Sequence, residues 1–95
     1  MPRRYRVATT AAFERDLRRV RKRAPRVHHA LRRALALLRT DPFNLERRAN
    51  IRKLVNMLAG EGQFRMRLGA YRLRYDVVED EVVLHSIRPR SRSYR

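Results

Sequence analysis

Two neighbouring segments of this chain, residues 64–68 and 71–75, alternate strictly between apolar side chains and arginine. Alternation with a period of two is typical of a strand with one buried face, because successive side chains leave opposite faces of the pleat. The two residues between the segments begin with Gly69, which suits the two-residue type II′ turn of a β-hairpin. The sequence therefore predicts a hairpin in which Leu68 faces Tyr71.

This register sorts the side chains of the hairpin onto an apolar face and an arginine face. On the second face Arg67 lies opposite Arg72, and Arg65 lies opposite Arg74. Like charges placed directly opposite each other cost about 0.2–1 kcal/mol per pair. Because the sequence tolerates two such pairs, we expect this face to bind something anionic.

The overall charge points to the same kind of partner. The chain has 25 basic and 9 acidic residues in 95, a formal net charge of +16, which favours nucleic acid or a very acidic protein. All the basic residues except Lys22 and Lys53 are arginine, whose guanidinium fork matches phosphate. A genome-wide codon bias would explain that ratio equally well, but it does not explain the net charge.

Length and composition predict a single domain over residues 1–95 and a cytoplasmic protein. The chain has no cysteine, and its longest uninterrupted apolar run, residues 34–38, is far too short to span a membrane. The first six residues are basic and do not resemble an apolar signal region. No cluster of His, Asp and Glu has the spacing of metal ligands, so we expect no metal and no cofactor.

The first forty residues predict a short strand and two helices. Residues 4–7 alternate like a strand, and Thr9 or Thr10 can cap the helix that follows. Pro25 suits the first turn of a second helix, which ends before Pro42. With so short a join, the helices should form an antiparallel hairpin.

The rest of the chain predicts the strands of a sheet. We expect residues 43–62 to form a loop with one or two helical turns, followed by the arginine hairpin, a solvated acidic turn at residues 76–81 and an inner strand at residues 82–87 that ends at Pro89. The predicted fold class is α+β: a small antiparallel β-sheet with an N-terminal helical hairpin packed on one face, in the order β-α-α-β-β-β.

Over nearly its whole length the chain resembles the RelE/ParE superfamily of bacterial and archaeal type II toxins. The most specific match is residues 64–75, FRMRLGAYRLRY, which are similar to the superfamily's hairpin of aromatic-Arg-x-Arg-x-Gly-x-Tyr-Arg-x-x-Tyr. Residues 90–94, RSRSY, are similar to its Arg-x-x-x-Tyr end. Residues 41–42 and 52–54 also stand where similar elements are expected.

The resemblance implies a small toxin that is neutralised by an acidic antitoxin encoded beside it. RelE-like members cut mRNA in the ribosomal A site, which makes the ribosome and mRNA partners of the toxin. ParE-like members instead inhibit DNA gyrase and lack the nuclease residues. We favour the RelE-like activity, with ParE-like inhibition as the alternative. A basic ribosomal or nucleic-acid-binding protein ranks last, because the chain lacks the long unstructured tails expected of one.

The predicted site residues form two groups, of which the resemblance gives Arg65, Arg67, Arg72, Arg90 and Tyr94 position by position. The catalytic group contains the hairpin arginine tied to transition-state charge, its neighbour on the facing strand, the basic residue after the last strand and the closing tyrosine: Arg72, Arg67, Arg90 and Tyr94. The group that binds RNA phosphate contains Arg65, Arg74, Lys53, Arg52, Arg88 and Arg92.

The candidate residues include few groups that could act as a base. Arginine stays protonated at any biological pH, so the arginines can neutralise charge on phosphate but cannot accept a proton. Many nucleolytic relatives have a histidine where this chain has Pro89. Tyr94 is the candidate for proton transfer or for stacking on a base, unless its ring only anchors the tail. We expect His85 to be a hydrogen-bonded core histidine and Glu61 to serve in a turn.

Overall fold

The computed structural model describes residues 3–90, which form five strands and two helices. In chain order these are β1 (Arg6–Thr9), α1 (Ala11–Arg23), α2 (Pro25–Leu38), β2 (Ile51–Lys53), β3 (Phe64–Leu68), β4 (Tyr71–Val78) and β5 (Glu81–Pro89). The strands make one sheet in the order β1-β5-β4-β3-β2. The predicted α+β class, with its N-terminal pair of helices, is confirmed.

The sheet is mixed, which corrects the prediction of a wholly antiparallel one. Strand β1 pairs in parallel with β5, whereas the other three pairs are antiparallel. A two-residue turn forces neighbouring strands to run antiparallel, but β1 and β5 are separated by most of the chain. Their relative direction is therefore set by tertiary packing, and the local pattern of the sequence does not encode it.

The two helices begin at the residues that local chemistry favours. The hydroxyl oxygen of Thr10 accepts a hydrogen bond from the backbone N–H of Phe13 at 3.1 Å, which caps α1. Only Ala24 separates the two helices, and Pro25 occupies the first turn of α2. Between them, α1 and α2 bury five side chains against the sheet: Phe13, Val20, Leu31, Ala34 and Leu38.

The arginine hairpin has the predicted register. Leu68 pairs with Tyr71, and the pairing continues to Phe64 opposite Tyr75. Gly69 has a backbone φ of +61°, the left-handed region that the first position of a type II′ turn requires. The apolar residues of both strands face the helices and complete the core.

The segment between α2 and β3 differs from the prediction. Instead of helical turns, Ile51–Lys53 forms a short edge strand on β3. Ile51, Val55 and Leu58 are spaced like the apolar face of a helix, but Val55 and Leu58 are 83% and 70% exposed, so this spacing does not mark a buried face. The sequence did not predict strand β2, because three residues are too few to display an alternating pattern.

The last strand is longer than predicted and irregular. It runs from Glu81 to Pro89 instead of over residues 82–87, and its last residue, Pro89, lies opposite Tyr71 and ends the pairing as predicted. Pro89 has no backbone N–H to donate. None is needed on the edge of β5 that faces β1, because the pairing of β1 with β5 ends at Leu84. A register shift between Arg74 and Tyr75 makes His85 an extra residue on β5.

The buried Tyr75 connects the sheet to the loop after α2. Its hydroxyl donates a hydrogen bond to the carbonyl oxygen of Pro42 at 2.7 Å, and its ring stacks on Phe64 with the centroids 5.4 Å apart. Burial, with a smaller contribution from the charge of Asp41, raises the pKa of Tyr75 well above its usual value. The hydroxyl therefore stays protonated and remains a donor across the physiological pH range.

We expect Tyr75→Phe to lower the free energy of unfolding by about 1–2 kcal/mol, because it leaves the Pro42 carbonyl without its donor and preserves the stacked ring. Urea unfolding followed by circular dichroism measures the change. An unfolding midpoint equal to that of the wild type would show that this hydrogen bond contributes nothing.

Candidate phosphate-binding site

Two rows of arginine cross the sheet on the face opposite the helices. We call this surface the arginine face. Cross-strand pairing aligns the first row on β2, β3 and β4, and the second row on β3, β4 and β5. The first row is Arg52, Arg65 and Arg74; the second is Arg67, Arg72 and Arg88. The four arginines predicted on the hairpin are therefore joined by Arg52 on β2 and by Arg88 on β5.

The members of the two rows differ in exposure. Arg52 and Arg67 are exposed, Arg65 is half-buried, and Arg72 is only 3% exposed. A charged group that is shielded from water interacts more strongly with another charge nearby than an exposed one does. Burial also leaves little of Arg72 open to a ligand, so the exposed Arg52 and Arg67 are the members of the two rows most accessible from solvent.

Arg74, the third arginine of the first row, fastens a loop. Its Nε and Nη2 donate to the carbonyl oxygen of Gly62 at 3.1 and 2.9 Å, and Nη2 also donates to the carbonyl of Glu61 at 2.9 Å. These bonds are possible because Gly62 approaches closely: a Cβ there would lie 3.0 Å from the Cβ of Arg74. The structure gives this predicted phosphate ligand a role in holding residues 61–62 against the sheet.

Arg88 bends from the second row toward α1. Its Nε donates to Oδ2 of Asp16 at 3.3 Å. The same carboxylate oxygen accepts the backbone N–H of Ile87 at 3.1 Å, on the edge of β5 that β1 no longer covers. Asp16 is 4% exposed, and it joins the first helix to the end of the last strand.

The other predicted site residues are spread over different surfaces. Lys53 pairs with Phe64 and so lies on the helix side of the sheet, with its Nζ 5.9 Å from the ring centroid of Phe64. Arg90 follows β5, and its backbone N–H donates to the carbonyl of Ala70 at the hairpin turn, at 2.8 Å. Arg92 and Tyr94 lie outside the described residues.

Asp76 was expected in a solvated acidic turn, but it is 1% exposed and forms the centre of a polar cluster. Its carboxylate accepts backbone hydrogen bonds from Gly60, Gly62 and Gln63 at 2.8, 3.1 and 2.8 Å. The Nε2 of His85 lies 2.8 Å from Oδ2. Sequence reasoning missed this cluster, although Asp76 continues the alternation of the arginine face and the three N–H donors lie in a glycine-rich segment.

Four partners decide the charge state of Asp76. Burial alone would raise its pKa, but the three backbone donors and the nearby His85 outweigh burial and hold the pKa below its usual value. His85 pairs with the carboxylate of Asp76, but its side chain is 19% exposed and lies outside the hydrophobic core in which it was predicted. Glu61 serves in a turn as predicted, since its Oε2 accepts the N–H of Leu58 at 2.9 Å.

Residues 3–90 contain neither a metal site nor a membrane-spanning helix. No group of three or more His, Asp and Glu side chains in this part of the chain is arranged to hold a metal ion. Among the same residues, neither helix is long and apolar enough to cross a membrane.

Comparison with known families identifies the chain. Residues 7–94 match the model of the ParE toxin of the parDE type II toxin–antitoxin system. The chain belongs to this family of toxins. No protein of curated function is significantly similar to the chain in sequence.

Solved toxin structures share the fold. The RelBE2 toxin–antitoxin complex of Mycobacterium tuberculosis contains a chain that is 28% identical, with a TM-score of 0.65, over 90% of this chain and 98% of that one. The archaeal RelE–RelB complex of Pyrococcus horikoshii gives 25% identity and a TM-score of 0.65, over 94% and 98%. YoeB of Staphylococcus aureus, at 15% identity and a TM-score of 0.64 over 90% and 95%, shares the fold alone. The resemblance to the RelE/ParE superfamily is confirmed.

Replacing Asp76 tests whether its cluster stabilises the fold. We expect Asp76→Asn to lower the free energy of unfolding at pH 7 by about 2–3 kcal/mol, because a buried acceptor loses the charge that its four partners stabilise. The pKa of Asp76 is lower in the folded protein than in the unfolded chain. The ionised carboxylate therefore stabilises the fold fully above the unfolded pKa, and this stabilisation is lost as the pH falls through the folded pKa. The wild type should therefore lose stability below about pH 4 more steeply than the variant does.

Asp80→Asn is the matched control for Asp76→Asn. Asp80 makes an exposed ion pair with Arg6 at 3.2 Å, and such surface pairs contribute little. Urea unfolding of both variants from pH 3 to pH 8 makes the comparison. An equal decrease in the free energy of unfolding for the two variants would contradict the stabilising role assigned to the carboxylate of Asp76.

Proposed function

We propose that this toxin is a RelE-like endoribonuclease, which cuts mRNA bound to the ribosome and so inhibits translation in the cytoplasm. The observation that carries the proposal is the arginine face, where two cross-strand rows place like charges side by side. Such an arrangement is unfavourable until an anion neutralises it. A polyphosphate strand, with one negative charge per nucleotide, is the anion that fits two parallel rows.

Cleavage by internal attack makes three demands. The 2′-hydroxyl of the RNA must lose a proton, the charge that grows on the phosphate must be stabilised, and the 5′-oxygen must gain a proton. Arg72, shielded from water, and the exposed Arg67 opposite it can stabilise the phosphate charge, and such stabilisation usually contributes most of the rate enhancement. We assign the same role to Arg90, and proton transfer to Tyr94.

In this proposal the ribosome positions the RNA, because the toxin lacks a strong base. The candidate residues are rich in guanidinium groups that cannot accept a proton, so cleavage of free RNA should be slow. Positioning of the 2′-hydroxyl in line with the scissile phosphate can replace strong acid–base catalysis. We therefore assign mRNA on the ribosome, and not free RNA, as the substrate.

An acidic antitoxin is the second proposed partner. A net charge of +16 would make the free toxin bind polyanions without selectivity, and an acidic protein would neutralise that charge. The similar chains of Mycobacterium tuberculosis and Pyrococcus horikoshii belong to structures of toxin–antitoxin complexes, which supports a protein partner here.

Inhibition of DNA gyrase is the alternative function, and the match to the ParE toxin family supports it. In that case the arginine face would contact protein, and no RNA bond would break. The two functions differ in what unopposed expression produces: codon-positioned cuts in mRNA, or a DNA-damage response with intact mRNA.

Arg67→Ala tests the nuclease proposal without disturbing the core, because Arg67 is exposed. We expect about a 100-fold slower cut of mRNA on programmed ribosomes, the usual loss when one group that stabilises transition-state charge is removed. Primer extension of the mRNA measures the rate. Arg72→Lys, which keeps the charge and removes the guanidinium fork, should slow cleavage as well.

Arg33→Ala is the matched control, since Arg33 is an exposed arginine on α2 and its loss removes the same charge. It should leave the cleavage rate close to that of the wild type. Wild-type toxin that leaves ribosome-bound mRNA intact but blocks supercoiling by purified gyrase would overturn the nuclease proposal in favour of the alternative.

A further inference from the structure

A cavity of about 190 Å³ lies on the helix side of the sheet, between the second half of α1 and the end of β5, and Arg88 is the one residue of the arginine face that lines it. Three apolar residues, Val20, Ile87 and Pro89, line part of it, together with the half-buried ring of Tyr71. The cavity thus has an apolar lining and one aromatic ring. It is large enough for a planar ring system and contains none of the residues assigned above to phosphate chemistry except Arg88.

Polar groups of both signs complete the lining. Arg19 and Arg23 of α1 and Arg88 of β5 supply positive charge, and the buried Asp16 supplies one carboxylate. Its Oδ2 is occupied by Ile87 N–H and Arg88 Nε. Its Oδ1 lies 3.8 Å from Arg19, longer than a hydrogen bond. Since a carboxylate oxygen offers two acceptor sites, Oδ1 has capacity for a donor from a ligand.

We propose that this cavity binds one unstacked base of a single-stranded RNA, and that Asp16 selects a base with an exocyclic amino group. The base would stack on Tyr71, its amino group would donate to Oδ1 of Asp16, and the flanking phosphates would contact Arg19 and Arg23. Stacking on an aromatic ring and hydrogen bonding to the base edge are the general means by which proteins recognise single-stranded RNA.

Continuity with the arginine face supports an RNA ligand. Arg88 belongs to the second arginine row and also lines the cavity. Tyr71 and Pro89 are paired across the sheet and face the helices, whereas the adjacent pair of Arg72 and Arg88 belongs to the opposite face. Arg88 reaches round the edge of β5 that β1 leaves uncovered, so an RNA strand bound along the second row reaches the cavity past Arg88. The inference rests on the proposed function, because it extends the same RNA site by one nucleotide.

The buried carboxylate argues for a nucleotide over an acidic peptide. A Glu or Asp side chain entering the cavity would meet the arginines favourably but would be repelled by Asp16. A nucleotide carries its negative charge on the phosphate and its hydrogen-bond donors on the base. It therefore matches both signs of charge in the lining, whereas the only donor on the edge of uracil, N3–H, lies between two carbonyl oxygens that the carboxylate would repel.

The test is the affinity of the full chain for labelled single-stranded RNA pentanucleotides, measured by fluorescence anisotropy. We expect oligo(C) and oligo(A) to bind more tightly than oligo(U). Tyr71→Leu, which stays apolar but cannot stack, should weaken binding of oligo(C) about tenfold. Arg23→Ala should weaken it several times more than Arg18→Ala, which removes the same charge from α1 outside the cavity.

The outcomes separate this inference from the proposed function. Binding that Arg67→Ala weakens, but that Tyr71→Leu and base identity leave unchanged, would overturn the base-binding cavity and leave the arginine face as the RNA site. An absence of any RNA binding by the wild type would overturn both. If Tyr71→Leu weakened binding to the antitoxin and left RNA affinity unchanged, the cavity would be a protein contact and the inference would be wrong.

Discussion

The pleat of β3 and β4 couples the hydrophobic core to the arginine face, because each residue that enters the core places its neighbours on the other side. Met66 and Leu73 are paired across the two strands and are almost fully buried. Their burial drives folding, and it forces the adjacent Arg67 and Arg72 into register on the opposite face. The charge repulsion on that face is thus imposed by the packing of the core, and an anionic ligand can relieve it.

The side chains of the arginine face have different roles in the structure, although they carry the same functional group. Arg74 donates to backbone carbonyls and holds residues 61–62, while Arg88 reaches across the sheet edge to Asp16. Arg67 and Arg72 remain at the centre of the face. A count of positive charges would treat these residues alike, whereas the geometry shows that Arg74 and Arg88 each hold a segment of the fold in place.

Two buried carboxylates organise the polar contacts of this very basic protein. Asp76 gathers three backbone N–H groups and His85 on one side of the sheet. Asp16 joins α1 to the end of β5 on the other side. Asp76 and Asp16 are both buried next to strands that contain arginine, and each carboxylate accepts hydrogen bonds from defined donors. Of the two, only Asp16 pairs with arginine side chains within residues 3–90, those of Arg88 and Arg19.

The sequence by itself determined the hairpin, its register, the pair of helices and the superfamily. Each of these depends on local patterns: period-two alternation around Gly69, a threonine that caps α1 and a proline at the start of α2. Only the tertiary structure decided the parallel pairing of β1 with β5, the short strand β2 and the burial of Asp76. These features join residues that are distant in the chain, and alternation shows which face of a strand a side chain occupies but not what covers that face.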